Sequence, residues 1–154
     1  MPVALLASVP EEHLLSGART LQRAGKVAFG SRNWELFNSL DSILSGEKCD
    51  VLIYASDPVR PINPPSVTWA ARYLGSSVAK NGAHKDGMMY RPESTLKYPL
   101  DNKGNWILFW EVDSLRLLES PIRISSLRGS EKPKRYLTEF IPHGPVLIEA
   151  PGIA

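Results

Sequence analysis

The sequence predicts an α+β fold: a small mixed or antiparallel β-barrel with flanking helices. Two features carry this. The first half alternates strand, helix, strand, helix, strand, whereas the second half holds several apolar runs with almost no helix between them. A doubly wound parallel sheet needs a crossover helix between successive strands, so the second half excludes it. A barrel with helices packed outside accommodates both halves. The 154 residues suit one domain over 1–154, long enough to bury a core.

Val3 to Leu6 is a short apolar run that reads as the first strand. Ser8 is a candidate N-cap, and Glu11 and Glu12 place acids in a first helical turn. Leu14, Leu15, Ala18 and Leu21 then recur at helical spacing, predicting a helix to about Arg23. Lys26 to Phe29 reads as the second strand, broken at Gly30. Ser31 or Asn33 caps a second helix, whose apolar face is Trp34, Phe37, Leu40 and Leu44. Gly46 closes it. Cys49 to Tyr54, CDVLIY, is the clearest strand, β-branched and aromatic between turns.

Four prolines between Asp57 and Pro65 mark a loop. In SVTWAARYL, Ser66 to Leu74, the residues Val67, Trp69, Ala71 and Tyr73 alternate onto one face of a strand. Gly75 to Asn105 is long and polar; unstructured segments of that length inside a domain are often functional. Trp106 to Leu118 predicts a long strand on which Trp106, Leu108 and Trp110 share a face. Pro121 to Leu127 reads as a short strand running into a turn, and Tyr136 to Ile141 and Pro145 to Ile148 as the last two.

The composition excludes several function classes. Eighteen Lys and Arg against sixteen Asp and Glu leave a net charge of +2, so an electrostatic footprint must be a local patch. One cysteine, Cys49, allows no internal disulfide and no Cys-based zinc site, as expected of a cytoplasmic protein. The first residues lack a basic stretch ahead of their apolar run, and no signal peptide or membrane span is expected. His13, His84 and His143 stand far apart, in no ligand spacing. No nucleophile elbow, Walker loop or dinucleotide fingerprint is present. No cofactor, metal or catalytic residue is expected.

Aromatic and amide chemistry remains. Each of the four tryptophans, Trp34, Trp69, Trp106 and Trp110, is expected to pack in the core rather than stack on a ligand, by about two to one. Aromatics in a small barrel are nonetheless the material for a pocket that stacks on a planar group. Arg72, Lys80, His84, Lys85, Arg91, Lys97 and Lys103 outnumber the acids between strands; each alone reads as a solvated loop residue, and together, beside an aromatic pocket, they are what a nucleic-acid reader would show. Arg123, Arg128, Lys132, Lys134 and Arg135 form a second basic cluster.

Several pieces, in order, resemble the EVE domain of the PUA-like superfamily, which also includes YTH and ASCH domains. AFGSRNWELFNSL is similar to the family's Gly-Val-Arg-Asn segment and the helix after it. GEKCDVLIYAS resembles its next strand, with Asp50, Tyr54 and Ser56 in matching places. PPSVTWAARYLG and GNWILFWEVDSLRLLESPIRISSL follow in family order, and the pieces cover most of 25–128. Ala55 stands where the family has histidine, Glu47-Lys48-Cys49 separate Gly46 from Asp50, and the closing C-terminal motif has no clear counterpart.

The resemblance implies a PUA-like barrel whose mouth accepts a flipped or unpaired modified base in DNA or RNA. It implies Ser31, Arg32, Asn33 and Trp34 on one wall, Tyr54 and Ser56 from the central strand, and Trp69 and Trp106 as aromatic contributors. Asn33 would read the base edge, and Arg32 would meet a phosphate or stack. Arg72, Lys80, Lys85 and Arg91 would follow the nucleic-acid backbone. The expected activity is a non-catalytic binding module; the alternatives are a small ASCH-like enzyme acting on RNA or a modified nucleoside, and an interaction domain without a ligand.

Overall fold

A computed structural model describes residues 2–131 and 134–153. Six strands form one mixed sheet. They are β1 (Val3–Pro10), β2 (Val27–Ser31), β3 (Cys49–Ser56), β4 (Ser66–Val78), β5 (Leu108–Arg123) and β6 (Val146–Glu149), in the spatial order β2-β5-β4-β3-β1-β6. β1 and β3 run parallel; all other neighbours are antiparallel. Two helices join the strands of the first half, α1 (Glu11–Ala24) and α2 (Trp34–Leu44). The α+β class and the mixed sheet are as the sequence predicts. The sheet is not closed: among the described residues β2 and β6 lie at its two ends and do not pair.

Strand alternation sends odd-numbered residues of β1, β2 and β3 and of most of β4, and even-numbered residues at the start of β5, to one face. There Leu5, Val9, Val51, Ile53, Trp69, Tyr73, Phe29 and Trp110 pack beneath Leu14 of α1 and Phe37 and Leu40 of α2. The opposite face buries a second cluster, with Ala4, Leu6, Leu52, Val67, Ile124 and Ile148. β1 and β3 are thus apolar on both faces, which explains their near-continuous hydrophobic runs.

Val67 was expected on the face of Trp69, Ala71 and Tyr73 but belongs to the second cluster. A register shift between Val67 and Trp69, one of three in the β4–β5 ribbon, sets two residues of β4 against five of β5 and breaks the alternation there. β2 continues through Gly30 to Ser31. β5 runs unbroken to Arg123, taking in the start of the separate strand expected from Pro121. Tyr136 to Ile141 forms no strand; Tyr136 and Phe140 stack on each other instead, 4.6 Å between centroids.

The long 79–107 connection is folded onto the domain. Tyr90 and Arg91 run beside the outer edge of β2, where the Ala28 N–H donates to the Tyr90 carbonyl (2.8 Å) and Arg91 Nη1 donates to the Ala28 carbonyl (2.9 Å). A 3-10 turn, Glu93–Lys97, packs on α1, and the Ser94 N–H donates to Ser16 Oγ (3.1 Å).

Candidate functional site

The open ends of the sheet create the site. β6 covers β1 only from Val3 to Leu6, while β3 covers its other edge from Leu5 to Pro10. The Ala150 N–H donates to the Pro2 carbonyl (2.9 Å), so even-numbered residues of β1 turn their backbone groups towards β6. Beyond Leu6 that edge has no strand beside it among the described residues, and the Ser8 N–H and C=O face the gap. On β2 the same logic applies. Ala28 turns outward to Tyr90 and Arg91, so Gly30, two residues on, also turns its N–H and C=O away from β5.

Between these two strand edges lies a cavity of about 120 Å3, lined among others by Ser8, Gly30, Ser31, His13, Asp101 and Trp106. Phe29 and Trp110, 5.0 Å apart between centroids, form its aromatic base. Its size is well below the roughly 300–1,000 Å3 of a drug-sized site and suits one flat ring. It shares Pro10, His13, Asp101 and Trp106 with a wider antechamber of about 560 Å3 towards Tyr98 and Asn105.

The Trp106 indole lies directly on Gly30; a Cβ at that position would clash with the ring atoms Cγ, Cδ1 and Cδ2. Glycine here serves close approach rather than an unusual backbone angle. Trp106 Nε1 is buried and has no hydrogen-bond partner among the described residues. A buried unpaired donor costs about 1–3 kcal/mol, a cost removed only when an acceptor reaches it. Trp69 Nε1 is unpaired too, but Trp69 is in the core and 4% exposed, away from the cavity lining.

His13 and Asp101 bring titratable groups to the mouth. His13 Nδ1 is 2.6 Å from Ser94 Oγ, and Nε2 is 3.7 Å from Asp101 Oδ2. Burial lowers the imidazole pKa below its ordinary value, against the opposing pull of the Asp101 and Glu12 carboxylates. Asp101 is held through its backbone: its carbonyl accepts from Arg91 Nη2 (3.1 Å). Arg91 is 2% exposed, and it also donates to the Ala28 carbonyl and to Asn102 Oδ1 (2.8 Å). Its guanidinium lies 4.9 Å from the Phe109 ring centre. Burial pulls its pKa down to about 10, still cationic at neutral pH. Arg91 therefore braces the connection against β2, and is not an exposed cation on a backbone track.

The structure brings only part of the expected set together. Ser31, Trp106 and the buried Arg91 line the cavity. Arg32 sits at the rim, donating from Nε to the Asn105 carbonyl (2.8 Å) and from Nη2 to Asn105 Oδ1 (2.7 Å). The Asn33 amide oxygen accepts from the Leu36 N–H (3.3 Å) as the N-cap of α2. Trp34, expected to pack, is 53% exposed at the first helical position, because the buried face of α2 is that of Phe37 and Leu40. Tyr54 and Ser56 alternate away from the helix-covered face; Tyr54 packs against the second cluster and lines a separate recess beside Arg60 and Leu117. Trp69 is core.

Arg72, Lys80 and Lys85 are exposed, with Arg72 opposite Asp50 across β3–β4. His84, counted among the loop cations, is buried with Nε2 2.7 Å from Glu111 Oε2. Burial alone would raise the Glu111 carboxyl, but His84 and Lys26 outweigh it and hold the pKa low. Lys132 of the second basic cluster lies outside the described residues. Cys49 is buried and its thiol is pushed up to about 11, an inert filler. No group of three or more metal-ligating side chains occurs among the described residues, and no described helix is long and apolar enough to cross a membrane.

Asn33→Ala should remove the cap and lower stability by about 1 kcal/mol. Because its amide oxygen is committed to Leu36, the variant should leave ligand affinity within twofold; denaturant titration and a binding isotherm check the two halves.

No family model matches the chain, and no curated protein is similar to it in sequence. Among solved structures, the chain is similar to the Pseudomonas syringae protein PSPTO5229, with 12% identity, a TM-score of 0.43, and coverage of 77% of this chain and 71% of that one. It is also similar to human THYN1, solved in complex with DNA containing 5-methylcytosine, with 16% identity, a TM-score of 0.43, and coverage of 79% and 70%.

Proposed function

We propose that the protein is a nucleic-acid-binding module that takes one unpaired or flipped base, including a modified one, into the gap between β1 and β2. The observation that carries this reading is the slot itself, with main-chain N–H and C=O groups of Ser8 and Gly30 on its two edges and the Trp106 indole, whose buried N–H is unpaired, in its wall. A base edge presents donors and acceptors side by side, and a strand edge offers the same pair without a side chain. The aromatic base and the size of one ring suit a heterocycle held by its flat faces and read at its rim. The segments resembling the EVE domain support the same reading.

The test is binding of labelled single-stranded DNA and RNA, plain and with methylated or hydroxymethylated cytosine, followed by fluorescence anisotropy. Saturable binding that differs between modified and plain oligonucleotides is expected. Trp106→Phe keeps an aromatic ring but removes the pyrrole half of the indole together with its N–H, so it should weaken binding by roughly tenfold. No binding to any oligonucleotide at low salt would sink the reading.

One observation favours a second reading, an enzyme acting on a nucleoside. His13 and Asp101 together could move a proton at the mouth of the cavity. Turnover of a nucleoside derivative, lost in His13→Gln, would move the assignment there.

A further inference from the structure

Beside the slot, the end of the sheet carries an apolar and cationic rim that the slot does not use. The Ile107 N–H donates to the Ser31 carbonyl (3.1 Å), and the Ala79 N–H donates to the Ile107 carbonyl (2.9 Å). These bonds place the ends of β2, β5 and β4 in one row. Along it stand three exposed apolar side chains: Trp34 (53%), Ile107 (47%) and Val78 (78%).

Three cations belong to the same row. Arg32 clasps Asn105, a neutral partner that leaves its charge uncompensated. Lys80 follows Ala79 directly. Lys103 precedes Gly104, whose N–H donates to the Asn81 carbonyl (3.0 Å) and so joins the 103–104 turn to the Lys80 turn. Among the described residues none of Arg32, Lys80 and Lys103 is in an ion pair. Glu35 is an exposed acid on the neighbouring turn of α2.

The row is continuous with the slot, since Ser31 lines the slot while its carbonyl begins the row, and Trp106 stands next to Ile107. An exposed tryptophan among unpaired cations, adjoining a one-ring slot, is the arrangement by which proteins hold single strands: bases stack on the aromatic and phosphates meet the cations. We infer that this rim carries the nucleotide next to the one in the slot, with its base stacked on Trp34 and its phosphate facing Arg32 and Lys80. The inference rests on the proposed function and deepens it: the ligand is a single strand of at least two nucleotides, not a free nucleoside.

Isothermal titration of the protein with a nucleoside, a trinucleotide and an eight-nucleotide single strand tests this. The wild type should bind the trinucleotide at least tenfold more tightly than the nucleoside. Trp34→Ala should collapse that ratio towards one, and Trp34→Tyr should keep most of it. Lys80→Ser should reduce the slope of log affinity against log salt by about 0.7. A bound nucleoside with no gain from added nucleotides would overturn the inference and leave the slot intact. Self-association lost in Trp34→Ala, seen by sedimentation, would overturn it in favour of a contact between copies. Binding of none of the three ligands would remove the slot reading itself.

Discussion

Gly30→Ala should abolish ligand binding while the protein stays folded. An added methyl at this position clashes with the Trp106 indole at its Cγ, Cδ1 and Cδ2 atoms rather than at a flexible tip. The ring cannot yield by a small rotation and must leave the slot wall. Gly30 has no left-handed backbone angle, so alanine is tolerated by the chain and only the contact is lost. Trp106 is half-buried and lies just before β5, so it can swing towards the antechamber. Overpacking of this kind costs about 1–3 kcal/mol, which a domain of this size should survive. The expected result is a native circular dichroism spectrum, a Tm lowered by several degrees, and affinity reduced by roughly a hundredfold or more, since the wall and its indole N–H go together. An unchanged affinity would mean that the ligand does not enter between β1 and β2.

Arg91→Met should cause the largest loss of stability, about 3–5 kcal/mol. Methionine fills a similar apolar volume and removes a buried charge, which by itself is often neutral or favourable. The acceptors stay behind, however. The Ala28 carbonyl, the Asp101 carbonyl and Asn102 Oδ1 each lose a donor, and a buried group left unsatisfied costs about 1–3 kcal/mol. The orphaned acceptors outweigh the relief. Arg91→Lys keeps the charge but offers a single ammonium in place of a planar fork, so it should recover only part of the loss. A Tm drop of roughly 10 °C for Arg91→Met, with Arg91→Lys between it and the wild type, is expected by calorimetry. Equal stability of all three would mean that the 84–105 connection is held without Arg91.

Much of the fold follows from local chemistry that a sequence displays. The β3 run CDVLIY and the helical spacing of Leu14 and Leu21 need no tertiary information, and Asn33 caps α2 as its position before Trp34 suggests. Val67 does not follow, because a bulge changes which face a residue meets without marking the sequence. Trp34 fails for a related reason: an apolar residue at the first turn of a helix can lie outside the arc that Phe37 and Leu40 bury. Closure of the barrel depends on whether β2 and β6 meet, a property of sheet curvature and of the short reach of β6.

The site was half legible. Ser31 and Trp106 stand in segments whose order pointed to a pocket, and the odd GSRN turn marks one of its walls. Ser8 and Gly30 contribute backbone, which no side-chain pattern reveals. His13 and Asp101 lie on α1 and on a distant loop, joined only by the way the 79–107 connection folds back over α1. Arg91 looked like one more loop cation, and only its burial separates it from Lys80 and Lys85.

The central claim is that a base sits between the free edges of β1 and β2. Amide chemical-shift mapping of the 15N-labelled protein, titrated with a single-stranded oligonucleotide, tests it most directly. The backbone N–H signals of Ser8 and Gly30 and the indole N–H of Trp106 should shift together and saturate at one ligand per protein. Shifts confined to the groove between α2 and β6, around Ser39 and Leu147, with Ser8, Gly30 and Trp106 unmoved, would contradict it.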